Sequence, residues 1–198
     1  MTTLIALQHD DWCLIVADSQ ITGNSIAMDY SAMGKIAKNG QYVVAAAGFV
    51  RGINLIQHSF IPPIPPKKNL DKFMVNRFIP ELRKTFIESG YEIKSDGDPV
   101  SHDSEIIVAV NGILYLIDDV YGLERNNNKL YCAGSGQDFA LGAAYALGAH
   151  KVNDYKEAID ILHLAVKSAI QFDINSGGKV QIALQMKSGE TFLQLLDD

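Results

Sequence analysis

The feature that most constrains this chain is the order in which strand-like and helix-like segments alternate along it. Residues 3–8 and 12–17 are short apolar runs separated by the polar turn His9-Asp10-Asp11, which predicts a β-hairpin. A second hairpin is expected where the turn Asn39-Gly40 precedes the apolar run 42–48. The first fifty residues are therefore predicted to be rich in β-strand.

Two helical stretches follow, and a proline cluster separates them. The first begins at Phe49 and ends before Pro62-Pro63-Ile64-Pro65-Pro66, because proline cannot continue a helix. We interpret this cluster as a stiff surface connection rather than a linker between domains, since an amphipathic pattern resumes directly after it. The second helix is expected to open at Asn69-Leu70-Asp71, to be kinked by Pro80 and to stop near Gly90.

The second half of the chain repeats this alternation, and together the two halves define the fold class. Strands are predicted at 105–110, 113–118, 129–133, 179–186 and 191–196, with helices at 139–150 and 154–171 and a loop at 173–178. Strands that flank two helical pairs predict an α+β fold of two stacked sheets with helices on both outer faces. Periodicity alone does not select this architecture among α+β folds. We expect one domain over residues 1–198.

Composition restricts the classes of function. The 198 residues carry a formal net charge of −6, which argues against a nucleic-acid binder. No apolar stretch approaches the roughly 20 residues that a membrane span needs, and the N-terminus lacks the basic region of a signal peptide. The two cysteines, Cys13 and Cys132, suit neither a disulfide framework nor a metal site. We therefore expect a cytoplasmic protein without a metal or cofactor and without ATPase activity, since phosphate-binding glycine loops are also absent.

The second residue of the chain is the candidate nucleophile. A threonine hydroxyl needs a base to take its proton, and the α-amine of an N-terminal threonine can serve, since its ordinary pKa is about 7.7–8.0. Thr2 directly follows Met1, and an initiator methionine is usually removed before so small a side chain. Many ordinary proteins also begin with Met-Thr, so the dipeptide alone is a weak signal.

Further motifs resemble those of the proteasome β-subunit family, including its bacterial HslV branch. Asp18 lies 16 residues after Thr2, at the family spacing. Lys35 lies one residue beyond the position of the family lysine, as a one-residue loop insertion would explain. In chain order, the matching elements are Thr2-Thr3, Ala17-Asp18, Lys35-Ile36, Ala47-Gly48, Gly134-Ser135-Gly136 and Asp173-x-x-Ser176-Gly177-Gly178. The resemblance covers essentially the whole chain. It implies the N-terminal nucleophile (Ntn) hydrolase fold, a four-layer αββα sandwich of two antiparallel sheets flanked by helix pairs.

The resemblance also implies catalytic roles. Lys35 places an ammonium beside the hydroxyl and amine of Thr2, and Asp18 pairs with Lys35 to hold it in position. The backbone N–H of Gly48 is the implied oxyanion donor, because glycine lets a substrate carbonyl approach closely. Three further residues are expected to hydrogen-bond and orient the Thr2 amine: Ser135, Asp173 and Ser176.

Substrate binding in the family is strand addition, in which an extended peptide pairs with backbone at two edges. Here those edges are the loop after Asp18, residues 20–23, and the strand end at 48–50. The residues implied to contact substrate are Gln20, Ile21, Met33, Ala46 and Gly48. The small apolar set formed by Ile21, Met33 and Ala46 favours a hydrophobic residue before the cleaved bond.

The partners implied are a polypeptide substrate, further copies of the chain in a ring or related oligomer, and a separate ATP-dependent unfoldase. No nucleic-acid or membrane partner is expected. The proline cluster at 62–66 departs from the family pattern, which leaves the ring size open. Two other functions also remain open: an Ntn amidase acting on small amides, and an inactive structural shell subunit.

The segment Ser101-His102-Asp103-Ser104-Glu105 carries a further polar cluster. His102 and Asp103 could suggest a metal site, but we interpret them as a solvated loop. Cys13, which alternates with apolar neighbours in a predicted strand, is interpreted as a buried thiol.

Overall fold

Two five-stranded antiparallel sheets pack face to face, with helices on both outer surfaces. The computed structural model describes residues 2–23, 26–94 and 99–196. The strands, in chain order, are β1 Leu4–Gln8, β2 Trp12–Asp18, β3 Gln20–Gly23, β4 Ile26–Asp29, β5 Ile36–Asn39, β6 Tyr42–Gly48, β7 Ser104–Val110, β8 Ile113–Ile117, β9 Leu123–Glu124, β10 Leu130–Ala133, β11 Val180–Met186 and β12 Thr191–Leu196. The helices are α1 Val50–Asn54, α2 Leu70–Phe73, α3 Ile79–Glu88, α4 Gln137–Ala146 and α5 Tyr155–Phe172.

The first sheet has the order β10-β1-β2-β11-β12 and the second β5-β6-β7-β8-β9. Side chains alternate between the two faces of each strand, so every central strand packs against helices on one face and against the other sheet on the opposite face. In β1, Ile5 and Leu7 pack with α4 and α5, whereas Leu4 and Ala6 face the second sheet. This alternation produces the expected αββα sandwich.

Small side chains dominate the interface between the two sheets. Alanines from both sheets lie there, including Ala6, Ala17, Ala45, Ala47 and Ala109. The buried Cys13 thiol shares this interface, as predicted, and its burial raises its pKa. Because small residues let the sheets approach closely, the ends of their strands meet at one edge of the sandwich.

The outer face of the second sheet is covered by irregular helices. The helix that begins at α1 continues as a π-helical turn at Leu55–Ser59, and α2 runs through another at Met74–Phe78 into α3. Pro80 is the second residue of α3, two positions after the end of the π turn at Phe78, where the backbone geometry changes and a missing N–H is tolerated. Gly90 follows the helix with a φ of 63°, which fits the predicted stop. Among the described residues, no helix is long and apolar enough to cross a bilayer.

The proline cluster forms the extended connection that the sequence predicts. No regular helix or strand occurs between Phe60 and Pro66. The Tyr42 hydroxyl donates to the Pro63 carbonyl at 2.8 Å, and the Asn39 side chain donates to the Phe60 carbonyl at 2.8 Å. These bonds fix the connection against the turn between β5 and β6.

Two predictions from the sequence are wrong. Residues 20–23 are not a loop but strand β3, which pairs with β4 in a separate two-stranded sheet. The sequence also predicts a loop with Thr22, Gly23 and Asn24, and Asn24 lies outside the described residues. His102 is not solvated: its side chain is fully buried, with ring centroids 5.1 Å from Phe86 and 4.5 Å from Tyr121.

Replacing Phe78 tests the packing of the outer core. Its ring is fully buried, 4.9 Å from Tyr42 and 5.1 Å from Phe60 between ring centroids. Phe78→Ala is expected to lower the free energy of unfolding by about 3–5 kcal/mol, measured by urea denaturation, because it leaves a cavity. Val75→Ala in the same helix is the control, since Val75 is 51% exposed. Equal losses in the two variants would contradict this packing.

Candidate active site

Thr2 and Thr3 lie directly before β1, at the edge where the two sheets meet. The Gly134-Ser135-Gly136 turn packs against them: the Gly136 N–H donates to the Thr2 carbonyl at 3.4 Å. A Cβ at Gly134 would lie 2.2 Å from that carbonyl oxygen, and one at Gly136 would lie 1.9 Å from the Thr3 hydroxyl. Only glycine permits this approach, which explains the motif.

A buried ion pair lies beneath the start of the chain. Lys35 Nζ donates to Asp18 Oδ1 at 2.6 Å, and both side chains are fully buried. This confirms the predicted pairing. Burial lowers the pKa of Lys35, while the charges of Asp18 and Asp173 act in the opposite direction.

Asp18 is held by backbone as well as by the lysine. Oδ1 also accepts the Thr3 N–H at 2.8 Å, and Oδ2 accepts the N–H groups of Gln20 at 3.1 Å and Gly177 at 2.9 Å. One carboxylate therefore fixes the start of β1, the start of β3 and the loop before β11. Four donors offset much of the cost of burying its charge.

The backbone of Lys35 is fixed by a residue to which the sequence analysis assigned no role. Gln181 Oε1, on β11, accepts the N–H groups of Lys35 at 2.6 Å and Ile36 at 3.3 Å. Gly34 has a φ of 74°, and a Cβ there would lie 1.9 Å from the Gln181 amide nitrogen. No local sequence signal identifies this contact, because its partners are 146 positions apart.

A second polar network joins three predicted residues. Asp173 Oδ2 accepts the hydroxyls of Ser135 and Ser176, each at 2.7 Å. The Ser176 hydroxyl lies 2.6 Å from the Thr3 hydroxyl, and the Ser135 hydroxyl lies 3.5 Å from the Thr2 carbonyl oxygen. Burial alone would raise the pKa of Asp173, but hydrogen bonds from Ser176, Ser135 and Asn175 outweigh it and lower that pKa. The network therefore places an ionised carboxylate beside the first two threonines.

Gly48 ends β6 in a conformation that favours glycine. Its φ is 131°, and a Cβ there would lie 2.4 Å from the Asp103 carbonyl oxygen. Gly48 borders an open cavity of about 390 Å³, here called the Gly48 cavity. Its lining residues are Ile21, Thr22, Gly48, Phe49, Val50 and Asp103. Larger cavities lie beside α3 and beside Asn126–Asn128, and Thr2 lines neither of these nor the Gly48 cavity.

The structure brings only two of the five predicted substrate-contact residues together at the Gly48 cavity. Ile21 and Gly48 line the Gly48 cavity, whereas Ala46 is fully buried among residues that pack under the helices. Met33 is 52% exposed and borders a different cavity, together with Leu193 and Leu195. The Gln20 amide donates to the Ile174 carbonyl at 3.1 Å, so it joins β3 to the loop that carries Asp173.

Glu105 is another residue of the site that the sequence analysis did not identify. It lies on β7 opposite Ala47, and its Oε2 accepts the Gly134 N–H at 2.8 Å. The carboxylate therefore fixes the turn that packs against Thr2. Its position between Ser104 and an apolar run could have identified it as a residue with a structural partner, since a partly buried acidic residue is usually hydrogen-bonded.

The sequence of the chain is similar to those of known protease subunits. No family model matches the chain. The ATP-dependent protease subunit HslV of Oceanobacillus iheyensis is 26% identical over 170 residues, covering 85% of this chain and 87% of the relative. The ATP-dependent protease subunit ClpQ of Bacillus subtilis is 25% identical over 171 residues, with the same shares covered. Over most of its length the chain is therefore similar in sequence to protease subunits of the HslV type.

Solved structures agree with the family fold. BPH of Thiobacillus denitrificans superposes with a TM-score of 0.75 at 22% identity, covering 95% of this chain and all of that one. Eukaryotic HslV from Trypanosoma brucei gives a TM-score of 0.61 at 22% identity, covering 92% and 98%. The αββα sandwich expected from the sequence is therefore the fold of this chain.

The ion pair can be tested through stability. Asp18→Asn is expected to lower the free energy of unfolding by about 3–5 kcal/mol, because it places amide hydrogens against N–H or ammonium donors. Lys35→Met is expected to cost less, since three backbone N–H groups still bind the carboxylate.

Urea denaturation measures both losses, and Lys38→Met, at an exposed position of β5, is the control. The interpretation is overturned if Lys35→Met is as damaging as Asp18→Asn, or if neither differs from the control.

Proposed function

We propose that this chain is a threonine peptidase whose nucleophile is the Thr2 hydroxyl after removal of Met1. The observation that carries the proposal is the convergence of two polar networks on the first residues of the chain. The Asp18–Lys35 pair binds the Thr3 N–H, and the Asp173 network reaches the Thr2 carbonyl and Thr3 hydroxyl. The relatives named as ATP-dependent protease subunits support the same activity.

Each residue has a part in the proposed reaction. The freed Thr2 amine takes the proton of its own hydroxyl, which attacks the substrate carbonyl and forms an ester as the amine half of the peptide leaves. The Lys35 ammonium favours the deprotonated hydroxyl by its charge, and Asp18 holds it there. The Gly48 N–H donates to the developing oxyanion. Water then hydrolyses the ester and restores the threonine.

The residues around Asp173 act on the amine rather than on the substrate. Ser135 and Ser176 both donate to Asp173, which leaves their hydroxyl oxygens able to accept a hydrogen bond from the Thr2 amine. Such bonds would orient the nitrogen lone pair toward the Thr2 hydroxyl. They are positioning residues in this scheme.

The substrate is an extended peptide in our proposal. Strand β3 and the end of β6 face each other across the Gly48 cavity, and each offers backbone groups to a third strand. Backbone pairing selects for an unfolded segment and little else. The chain would then act in an oligomer that admits only unfolded polypeptide, fed by a separate ATPase, as the names of the relatives suggest.

Intact mass before and after incubation with a peptidyl epoxyketone tests the nucleophile. This reagent needs both the hydroxyl and the free amine of a terminal threonine to form its ring adduct. We expect loss of Met1 and one stoichiometric adduct, with no adduct and no peptide cleavage in Thr2→Ala. Thr85→Ala on α3 is the control and should react like the wild type.

Retention of Met1 with no adduct would contradict the proposal and favour an inactive shell subunit. Hydrolysis of small amides but not of peptides would favour an amidase instead.

The pH dependence of kcat/KM should be bell-shaped. The acid limb reflects the Thr2 amine, which is a base only when neutral and has an ordinary pKa of about 7.7–8.0. The alkaline limb reflects loss of the Lys35 ammonium and should lie below 10.5, because burial lowers the pKa of that lysine despite the opposing charge of Asp18.

The contribution of Lys35 to the free energy of unfolding should rise over the pH range in which the rate falls. Between the lowered pKa of Lys35 and 10.5 the unfolded chain binds the proton that folded Lys35 has released, so its contribution to stability rises with pH. Urea denaturation across this range separates loss of rate from unfolding. A rate that stays constant up to pH 10.5 would contradict the role of Lys35.

A further inference from the structure

The Gly48 cavity is mainly apolar but carries one carboxylate. Ile21, Phe49 and Val50 supply much of its hydrocarbon surface, and Thr22 and Gly48 complete the wall. Asp103 is the ionisable residue of this lining. The hydrophobic preference expected from the sequence therefore describes only part of the cavity.

The backbone at Asp103 is fixed in an uncommon conformation. Its φ is 54°, in the left-handed region that aspartate and asparagine tolerate better than other non-glycine residues. Its carbonyl oxygen packs so closely behind Gly48 that a Cβ there would lie 2.4 Å away. The residue that supplies the charge is thus the same one that supports the proposed oxyanion donor.

Both neighbours of Asp103 are anchored in the core. The His102 ring is fully buried between Phe86 and Tyr121. The Ser104 hydroxyl lies 2.9 Å from the Tyr91 hydroxyl, and both residues are buried. Asp103 itself is exposed. Two buried neighbours therefore fix the backbone of Asp103, which lines the cavity and has an exposed side chain.

The Asp103 carboxylate has no salt-bridge partner in the described part of the chain, residues 2–23, 26–94 and 99–196. Arg51, which follows Val50 in the chain, instead donates to the Ser89 carbonyl. A positive group that enters the cavity could therefore pair with the Asp103 carboxylate without displacing a salt-bridge partner among the described residues.

We infer that Asp103 is a specificity-determining residue that favours lysine or arginine before the cleaved bond. The long hydrocarbon stem of such a side chain would lie along Ile21 and Phe49, while its charged end reaches the Asp103 carboxylate. This inference rests on the proposed function, because it assigns the cavity beside the oxyanion donor to the residue that precedes the bond. It changes the expected substrate class from purely hydrophobic to basic with an apolar stem.

Two epoxyketones that differ only in the side chain before the reactive ketone test this. One carries lysine and the other norleucine, which has the same stem without the ammonium. The rate of adduct formation at Thr2 is followed by intact mass in the full-length protein, its Asp103→Asn variant and the control Asp11→Asn. Asparagine keeps the size of the side chain and tolerates the positive φ. Asp11 lies in the exposed turn between β1 and β2.

The wild type should react faster with the lysine reagent, and Asp103→Asn should reduce the lysine-to-norleucine rate ratio about threefold, as is typical of exposed ion pairs. In Asp103→Asn the norleucine rate should fall less than the lysine rate, and added salt should lower the wild-type ratio toward that of the variant.

An unchanged ratio in Asp103→Asn, with adducts forming normally, overturns the inference and leaves the peptidase proposal intact. Equal loss of both rates assigns Asp103 to support of Gly48 and also overturns it. Absence of any adduct at Thr2 with either reagent refutes the proposed function and this inference with it.

Discussion

The Asp18 carboxylate is the interaction on which the arrangement at the start of the chain depends. Burying a charge costs several kcal/mol unless donors surround it, and Asp18 has four. Those donors come from β1, β3, the lysine before β5 and the loop before β11. None of these segments can shift without leaving a buried charge under-bonded. The position of the first threonines is therefore coupled to parts of the chain that are distant in sequence.

The small residues between the sheets make this coupling possible. Alanines at the inter-sheet interface let β1 and β6 approach, and the glycines at 134 and 136 let a turn lie against the first two threonines. A larger residue at any of these positions would separate the nucleophile candidate from the groups around it. Packing and chemistry are thus set by the same residues, which is why the short glycine motifs were informative in the sequence.

Much of the fold and part of the site could be predicted from the sequence. Alternating apolar runs gave the central strands, since one face of each is buried under helices and the other against small residues. The strand β3 was missed because Gln20–Gly23 is short, half-exposed and ends in glycine, a composition typical of loops. Gln181 and Glu105 were missed because their roles come from partners far away in sequence. His102 was misjudged because its aromatic neighbours come from α3 and the segment after β8.

The proposed catalytic groups and the proposed substrate-selecting residues come from different parts of this structure. The charged groups of the two polar networks are buried and come from the first sheet, the residue before β5 and the loop before β11, and each is hydrogen-bonded. The Gly48 cavity is formed by β3, α1 and the two strand ends of the second sheet, and its side chains are partly exposed. Changes in the first group disturb buried charges and cost stability, whereas changes at the exposed side chains of the second, such as Asp103, alter mainly what water or substrate meets. Substrate preference in such a chain can therefore change through residues such as Asp103 while the buried networks stay intact.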